Sequence, residues 1–115
     1  MLREITEVVP RKIGREELKR KMDRNEKFTL VDARSTYSYK EEHMKGAISL
    51  PLDEVDEKAE QILGKNDEII VYCSSFSCTA SGDEVRKLRK MGFKNVRHYA
   101  GGIKDWKEAD YPTER

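Results

Sequence analysis

Short runs rich in β-branched residues alternate along this chain with stretches of helical pattern, and that alternation restricts the possible folds more than any other feature. Ile5–Val9, Phe28–Val31, Ala47–Leu50, Glu68–Tyr72 and Asn95–Tyr99 carry the residue types that suit strands. Between them, Arg15–Asp23, Tyr37–Glu42, Asp53–Leu63 and Thr79–Met91 read as helices. A last short helix starts near Gly102 and carries Trp106. Strands joined through helices favour a layered α/β fold with a mostly parallel sheet flanked by helices. Ile69-Ile70-Val71 is continuously apolar, which suits a central strand buried on both faces.

Two helix ends are legible. Ser81-Gly82-Asp83-Glu84 has the form of a capping box, with Thr79 as the alternative helix start, followed by Val85, Leu88 and Met91 on one face and by Gly92 as the stop. Asp53 or the acids after it open the helix that ends at Gly64-Lys65-Asn66-Asp67.

At 115 residues the chain has the length of one domain, taken here as 1–115. Lys and Arg number 23 against 22 Asp and Glu, and they interleave, as in Arg15-Glu16-Glu17-Leu18-Lys19-Arg20-Lys21. Such mixing reads as a solvated helix face with local ion pairs rather than a surface for nucleic acid. No apolar run approaches the ~18 residues of a membrane span, and no signal-peptide core stands at the N-terminus. A soluble, cytoplasmic monomer with neither nucleic-acid nor membrane partner is expected. Charged residues at 39%, with Gln61 as the one glutamine, also resemble thermophile usage.

In parallel α/β sheets, ligands bind beyond the carboxyl ends of the strands. The segment there, after the expected central strand, is Cys73-Ser74-Ser75-Phe76-Ser77-Cys78-Thr79. A cysteine facing a helix start meets unpaired backbone N–H donors and a partial positive charge, and both favour the nucleophilic thiolate. Ser74, Ser75, Phe76, Ser77, Cys78 and Thr79 can wrap their amides around one sulfur and stabilise an anion there, a persulfide included. Cys73 is thus the candidate nucleophile. Position alone leaves open a second reading, in which it is a small hydrophobe packed in the core.

Three separated stretches resemble the rhodanese-like family: Leu30-Val31-Asp32-Ala33-Arg34, His43-Met44-Lys45-Gly46-Ala47-Ile48-Ser49-Leu50-Pro51, and Tyr99-Ala100-Gly101-Gly102-Ile103-Lys104-Asp105-Trp106. Tyr72-Cys73 falls in its expected place between the second and third. The resemblance implies a three-layer fold with a central five-stranded sheet and an active loop starting at Cys73. It also implies sulfurtransferase activity, with no cofactor expected; the Cys73-x4-Cys78 spacing, with both histidines on other elements, argues against a zinc site. Asp32 and Arg34 are then expected to tie loops near the site. Gly46, Gly101 and Gly102 would allow positive φ or close backbone approach, Trp106 would anchor the core, and His43 would be structural. His98 receives no role.

One departure bears on substrate. Family loops place an arginine five positions after the cysteine, where this chain has Cys78, and Phe76 replaces a glycine. Without that guanidinium, thiosulfate is expected to be a poor donor beside polysulfide or a small persulfide. Cys78 offers a second thiol: it either resolves the Cys73 persulfide, leaving a disulfide for a thioredoxin-like reductant, or is a small residue tucked beneath the loop. The expected partners are a small-molecule or protein sulfur donor and a thiol acceptor. Two other functions compete: a thiol–disulfide redox module using Cys73 and Cys78, and a non-catalytic interaction domain.

Overall fold

The computed structural model describes residues 11–115, so the strand expected at Ile5–Val9 lies outside the described residues. In chain order the elements are β1 (Arg11–Lys12), α1 (Arg15–Asp23), β2 (Thr29–Asp32), α2 (Thr36–Glu41), β3 (His43–Met44) and β4 (Ile48–Ser49). They continue with a 3-10 turn (Leu52–Glu54), α3 (Val55–Ile62), β5 (Glu68–Tyr72), α4 (Ala80–Lys90), β6 (Asn95–Tyr99), α5 (Gly102–Glu108) and β7 (Thr113–Glu114).

Five strands form one parallel sheet in the order β1-β6-β5-β2-β4. β5 lies at its centre, hydrogen-bonded to β2 and β6. Alternation along it sends Ile69 and Val71 to one face, where they pack with Val55 and Ala59 of α3 and Val85 and Leu88 of α4. Ile70 and Tyr72 point to the other, against Leu18 of α1 and Ile103 and Trp106 of α5. Both faces are dry, as the apolar run requires. The result is the expected three-layer α/β architecture.

Differences from the sequence reading are local. The helix expected from Asp53 opens instead as the 3-10 turn, because Leu52 N–H is drawn to Ala33 O (3.3 Å) and Glu54 N–H to Pro51 O (2.9 Å). The capping box at Ser81 does not form. α4 already starts at Ala80, with Asp83 N–H bonded to Thr79 O at 3.0 Å. Ser81 and Glu84 therefore lie in its first turns and are buried. Gly92 does end the helix, in a left-handed conformation at φ +100°. β3 and β7 make a separate antiparallel pair that no periodicity announces, since each has only two residues. That pair fastens the chain's C-terminal segment to the loop before β4, and Trp106 Nε1 donates to Pro112 O (2.8 Å) alongside it.

Candidate active site

Cys73 follows β5 directly and is 3% exposed. Its carbonyl accepts the N–H of Ile103 at 3.0 Å, and that of Ser74 accepts the N–H of Lys104 at 2.9 Å. The first turn of α5 thus holds the start of the loop by its backbone. Gly102 makes that approach possible: φ is +70°, and a Cβ there would stand 2.6 Å from Cys73 O. Gly46 is also left-handed at φ +84°. Gly101 is not (φ −63°), and its constraint is steric, a Cβ falling 2.5 Å from Asp105 Oδ2.

Beyond Cys73 the loop turns tightly. Cys78 N–H donates to Ser75 O at 3.1 Å, and the hydroxyls of Ser75 and Ser77 are 3.0 Å apart. Among the described residues, no other amide from Ser74 to Thr79 has a backbone acceptor. Ser74, Phe76, Ser77 and Thr79 are exposed, while Ser75 and Cys78 are partly so. Thr79 precedes α4 without a side-chain capping bond. The curl brings the Cα atoms of Cys73 and Cys78 to 6.4 Å, and the two sulfurs are joined as a disulfide. The site is in its oxidised, disulfide form.

Beneath the loop runs a polar brace. Tyr72 Oη donates to Asp32 Oδ2 (2.7 Å) and accepts from Met44 N–H (3.0 Å). Arg34 meets the same carboxylate through Nη2 (2.7 Å) and Nε (3.0 Å), and gives a further bond to Glu42 O (2.6 Å). Burial first, and the Asp32 charge second, push the Tyr72 phenol well above its ordinary range. Tyr72 therefore stays a protonated donor. Asp32 and Arg34 tie loops together, as the resemblance implied. His43 is structural too: it stacks on Tyr39 at 3.8 Å, with Nδ1 2.8 Å from Tyr39 O and Nε2 3.4 Å from Glu114.

A family model described as the rhodanese-like domain matches residues 14–109. This chain belongs to the rhodanese-like family. Among curated relatives, the putative sulfur carrier protein YrkF of Bacillus subtilis is 35% identical over 94 residues, 82% of this chain and 49% of that one. The chain thus spans about half the length of that relative. Thiosulfate sulfurtransferase PspE of Escherichia coli is 40% identical over 76 residues, which cover 65% of this chain and 70% of PspE. The crystal structure of the BH2092 protein from Bacillus halodurans superposes with a TM-score of 0.85 at 28% identity, covering 92% of this chain and 77% of that one. Membership supports sulfurtransferase chemistry at the level of the family. Among the described residues, no helix is long and apolar enough to cross a membrane.

Within this rhodanese-like domain, Arg34 and Arg86 are both committed to partners outside the loop. Arg34 is held by Asp32 and Glu42. Arg86 gives Nη1 to Gly82 O (3.2 Å) and lies 3.7 Å from Asp83. Lys104 is exposed, with Glu108 at 4.0 Å.

Sequence reasoning missed two buried groups on α4. Ser81 Oγ lies 2.8 Å from Nε2 of His98 on β6, and burial, helped by Lys12 and Arg86, lowers the His98 pKa. Glu84 is fully buried, and neither carboxyl oxygen has a partner among the described residues. Burial, then the Asp32 charge, pushes its pKa up to about 8. Its place after Ser81 suggested a cap. The earlier helix start turned it inward instead.

Proposed function

We propose that this chain is a sulfurtransferase that carries sulfane sulfur as a persulfide on Cys73. The sulfur comes from polysulfide or a small persulfide rather than thiosulfate, and goes to a thiol or another nucleophilic acceptor. The observation that carries this reading is the seat of Cys73. It stands at the end of the central strand, its carbonyl held by α5, in a loop of mostly unbonded amides that leads into the N-terminus of α4. Those amides and the helix dipole favour an anionic sulfur, first as thiolate and then as persulfide.

The reaction starts from the reduced loop, which a dithiol reductant such as a thioredoxin-like protein regenerates from the disulfide. The Cys73 thiolate attacks the terminal sulfur of the donor, a new S–S bond forms, and the rest of the donor leaves with the electron pair. An acceptor thiolate then takes that sulfur and Cys73 returns to the thiolate. Alternatively, Cys78 attacks Cys73 Sγ in the persulfide, expelling hydrogen sulfide and closing the disulfide. The proximity of Cys78 to Cys73 supports this resolving step. It also favours a second reading, in which the pair cycles between dithiol and disulfide without sulfane sulfur.

Intact-mass analysis of the reduced protein after exposure to polysulfide separates the two readings. A sulfur adduct that reduction removes, absent from Cys73→Ser and accumulating in Cys78→Ser, is the expected result. Loss of two hydrogens with no sulfur-bearing species in either single variant would establish the redox module in its place.

A further inference from the structure

Glu84 is fully buried, and neither of its carboxyl oxygens has a hydrogen-bond partner among the described residues. An interior without partners disfavours the carboxylate and keeps the side chain a neutral acid. The residue sits one turn into α4, the helix whose N-terminus closes the active loop. α4 lays Val85 and Leu88 on the sheet face that carries Ile69 and Val71. Cys73 leaves β5 two positions after Val71, and so on that same face. A helical side chain leans toward the N-terminus of its own helix, here toward the loop. The carboxyl therefore lies in the layer behind the sulfur, between α4 and the carboxyl end of the sheet.

The other charged groups around that layer are turned away. His98 of β6 meets Ser81 at 2.8 Å. Asp56 of α3 is taken by Lys87 at 3.0 Å, and Glu54 of the 3-10 turn by Lys58 at 2.7 Å, while Asp53 is exposed. On α4 itself, Asp83 and Arg86 lie in solvent 3.7 Å apart. Asp32 acts on Glu84 from the far face of the sheet, where Arg34 holds it at 2.7 Å. With the disulfide closed, Cys73 carries no charge. Once the disulfide opens, a Cys73 thiolate adds one in the same layer as Glu84.

We propose that Glu84 is a positioning residue for the sulfur chemistry: as a neutral carboxyl behind the loop it leaves Cys73 free to carry negative charge, and as a carboxylate it opposes that charge. The proposal deepens the reading of Cys73 as an anionic sulfur and rests on it. Opening the disulfide fixes the balance. A dithiol reductant gives two electrons and becomes a disulfide itself, and the Cys73–Cys78 bond breaks. One of the reductant's two protons goes to Cys78 as a thiol, and Cys73 stays a thiolate. The other proton goes to Glu84 where that group is ionised, and otherwise to solvent. Each anion on Cys73, thiolate or persulfide, thus tightens the hold of Glu84 on its proton.

Two measurements on the full chain test this. In the first, NMR of labelled glutamate carboxyls follows the titration of Glu84, its signal identified by its loss in Glu84→Gln. The midpoint should stand at about 8 in the disulfide form. It should rise by about one pH unit on reduction, the scale of one neighbouring like charge, and return to the lower value in reduced Cys73→Ser. A midpoint unmoved by reduction, or a rise that persists in Cys73→Ser, overturns the proposal. The second compares the rate at which polysulfide loads Cys73 in reduced wild type and reduced Glu84→Gln. The ratio of variant to wild type should climb about tenfold between about pH 6.5 and about pH 9.5, as Glu84 ionises in the wild type alone. A merely structural role gives a ratio independent of pH, and that result overturns the proposal. If the midpoint moves as expected but neither protein takes sulfur on Cys73, the coupling stands and the sulfur-carrier reading falls.

Discussion

Gly102 lies against the carbonyl of Cys73 so closely that a methyl group on its Cα would sit 2.6 Å from that oxygen. The contact lets Ile103 N–H reach the same carbonyl and sets the direction in which the loop leaves β5. Gly102→Ala adds both a clash with backbone and a left-handed conformation unsuited to alanine. A cost of about 2 kcal/mol or more is expected, along with a sharp loss of sulfur transfer. Chemical denaturation together with a persulfide-loading assay checks both. A variant with wild-type stability and rate would show that the contact does not position the loop.

Tyr72 gives its hydroxyl to Asp32 and takes the N–H of Met44, so Tyr72→Phe strands a buried donor. We predict a loss of ~1–3 kcal/mol in urea unfolding, the cost of leaving such a group unsatisfied. A change below ~0.5 kcal/mol would show that the brace under the loop contributes little.

Glu84 predicts an unusual dependence of stability on pH. Its folded pKa, about 8, lies above the ordinary value of 4.5, so the folded chain holds this proton more tightly than the unfolded chain. Below pH 4.5 both states carry the proton and no penalty exists. As pH rises from 4.5 toward 8 the unfolded state ionises first, and stability falls by roughly 1 kcal/mol per pH unit. Glu84→Gln removes that slope. It should therefore exceed wild type in stability at pH 8 by more than it does at pH 5, measured by denaturant midpoints. Parallel profiles for the two proteins would contradict the buried, protonated carboxyl.

The loop's lack of arginine is testable by restoring it. A charge-assisted hydrogen bond to a sulfonate oxygen contributes ~1.5–3 kcal/mol, which corresponds to roughly tenfold to a hundredfold in transition-state binding. Cys78→Arg should raise kcat/KM for thiosulfate on that scale while leaving polysulfide less affected. The comparison is made at matched ionic strength after reduction. A wild type that already prefers thiosulfate, or a folded Cys78→Arg with lower thiosulfate activity, would show that cations outside the loop serve the anion.

Local pattern alone determined much of this molecule. β5 and β6 occupy the very residues their β-branched runs marked, and Gly92 ends α4 where a left-handed residue was required. Cys73 falls at the carboxyl end of a strand flanked by others of the same direction, which a run of apolar residues followed by a small polar loop already implied. Period and punctuation are properties of neighbouring residues, so they can be read before folding. Partnerships across the chain cannot. Tyr72 meets an aspartate 40 positions away, Ser81 a histidine 17 positions away, and Thr113 a glutamate 71 positions away. The inward turn of Glu84 followed from a helix starting one residue before the apparent cap, and β3 and β7 are too short to show any period. The same holds for the seat of Cys73, because only the assembled sheet brings the backbone of Ile103 and Lys104 to the carbonyls of Cys73 and Ser74.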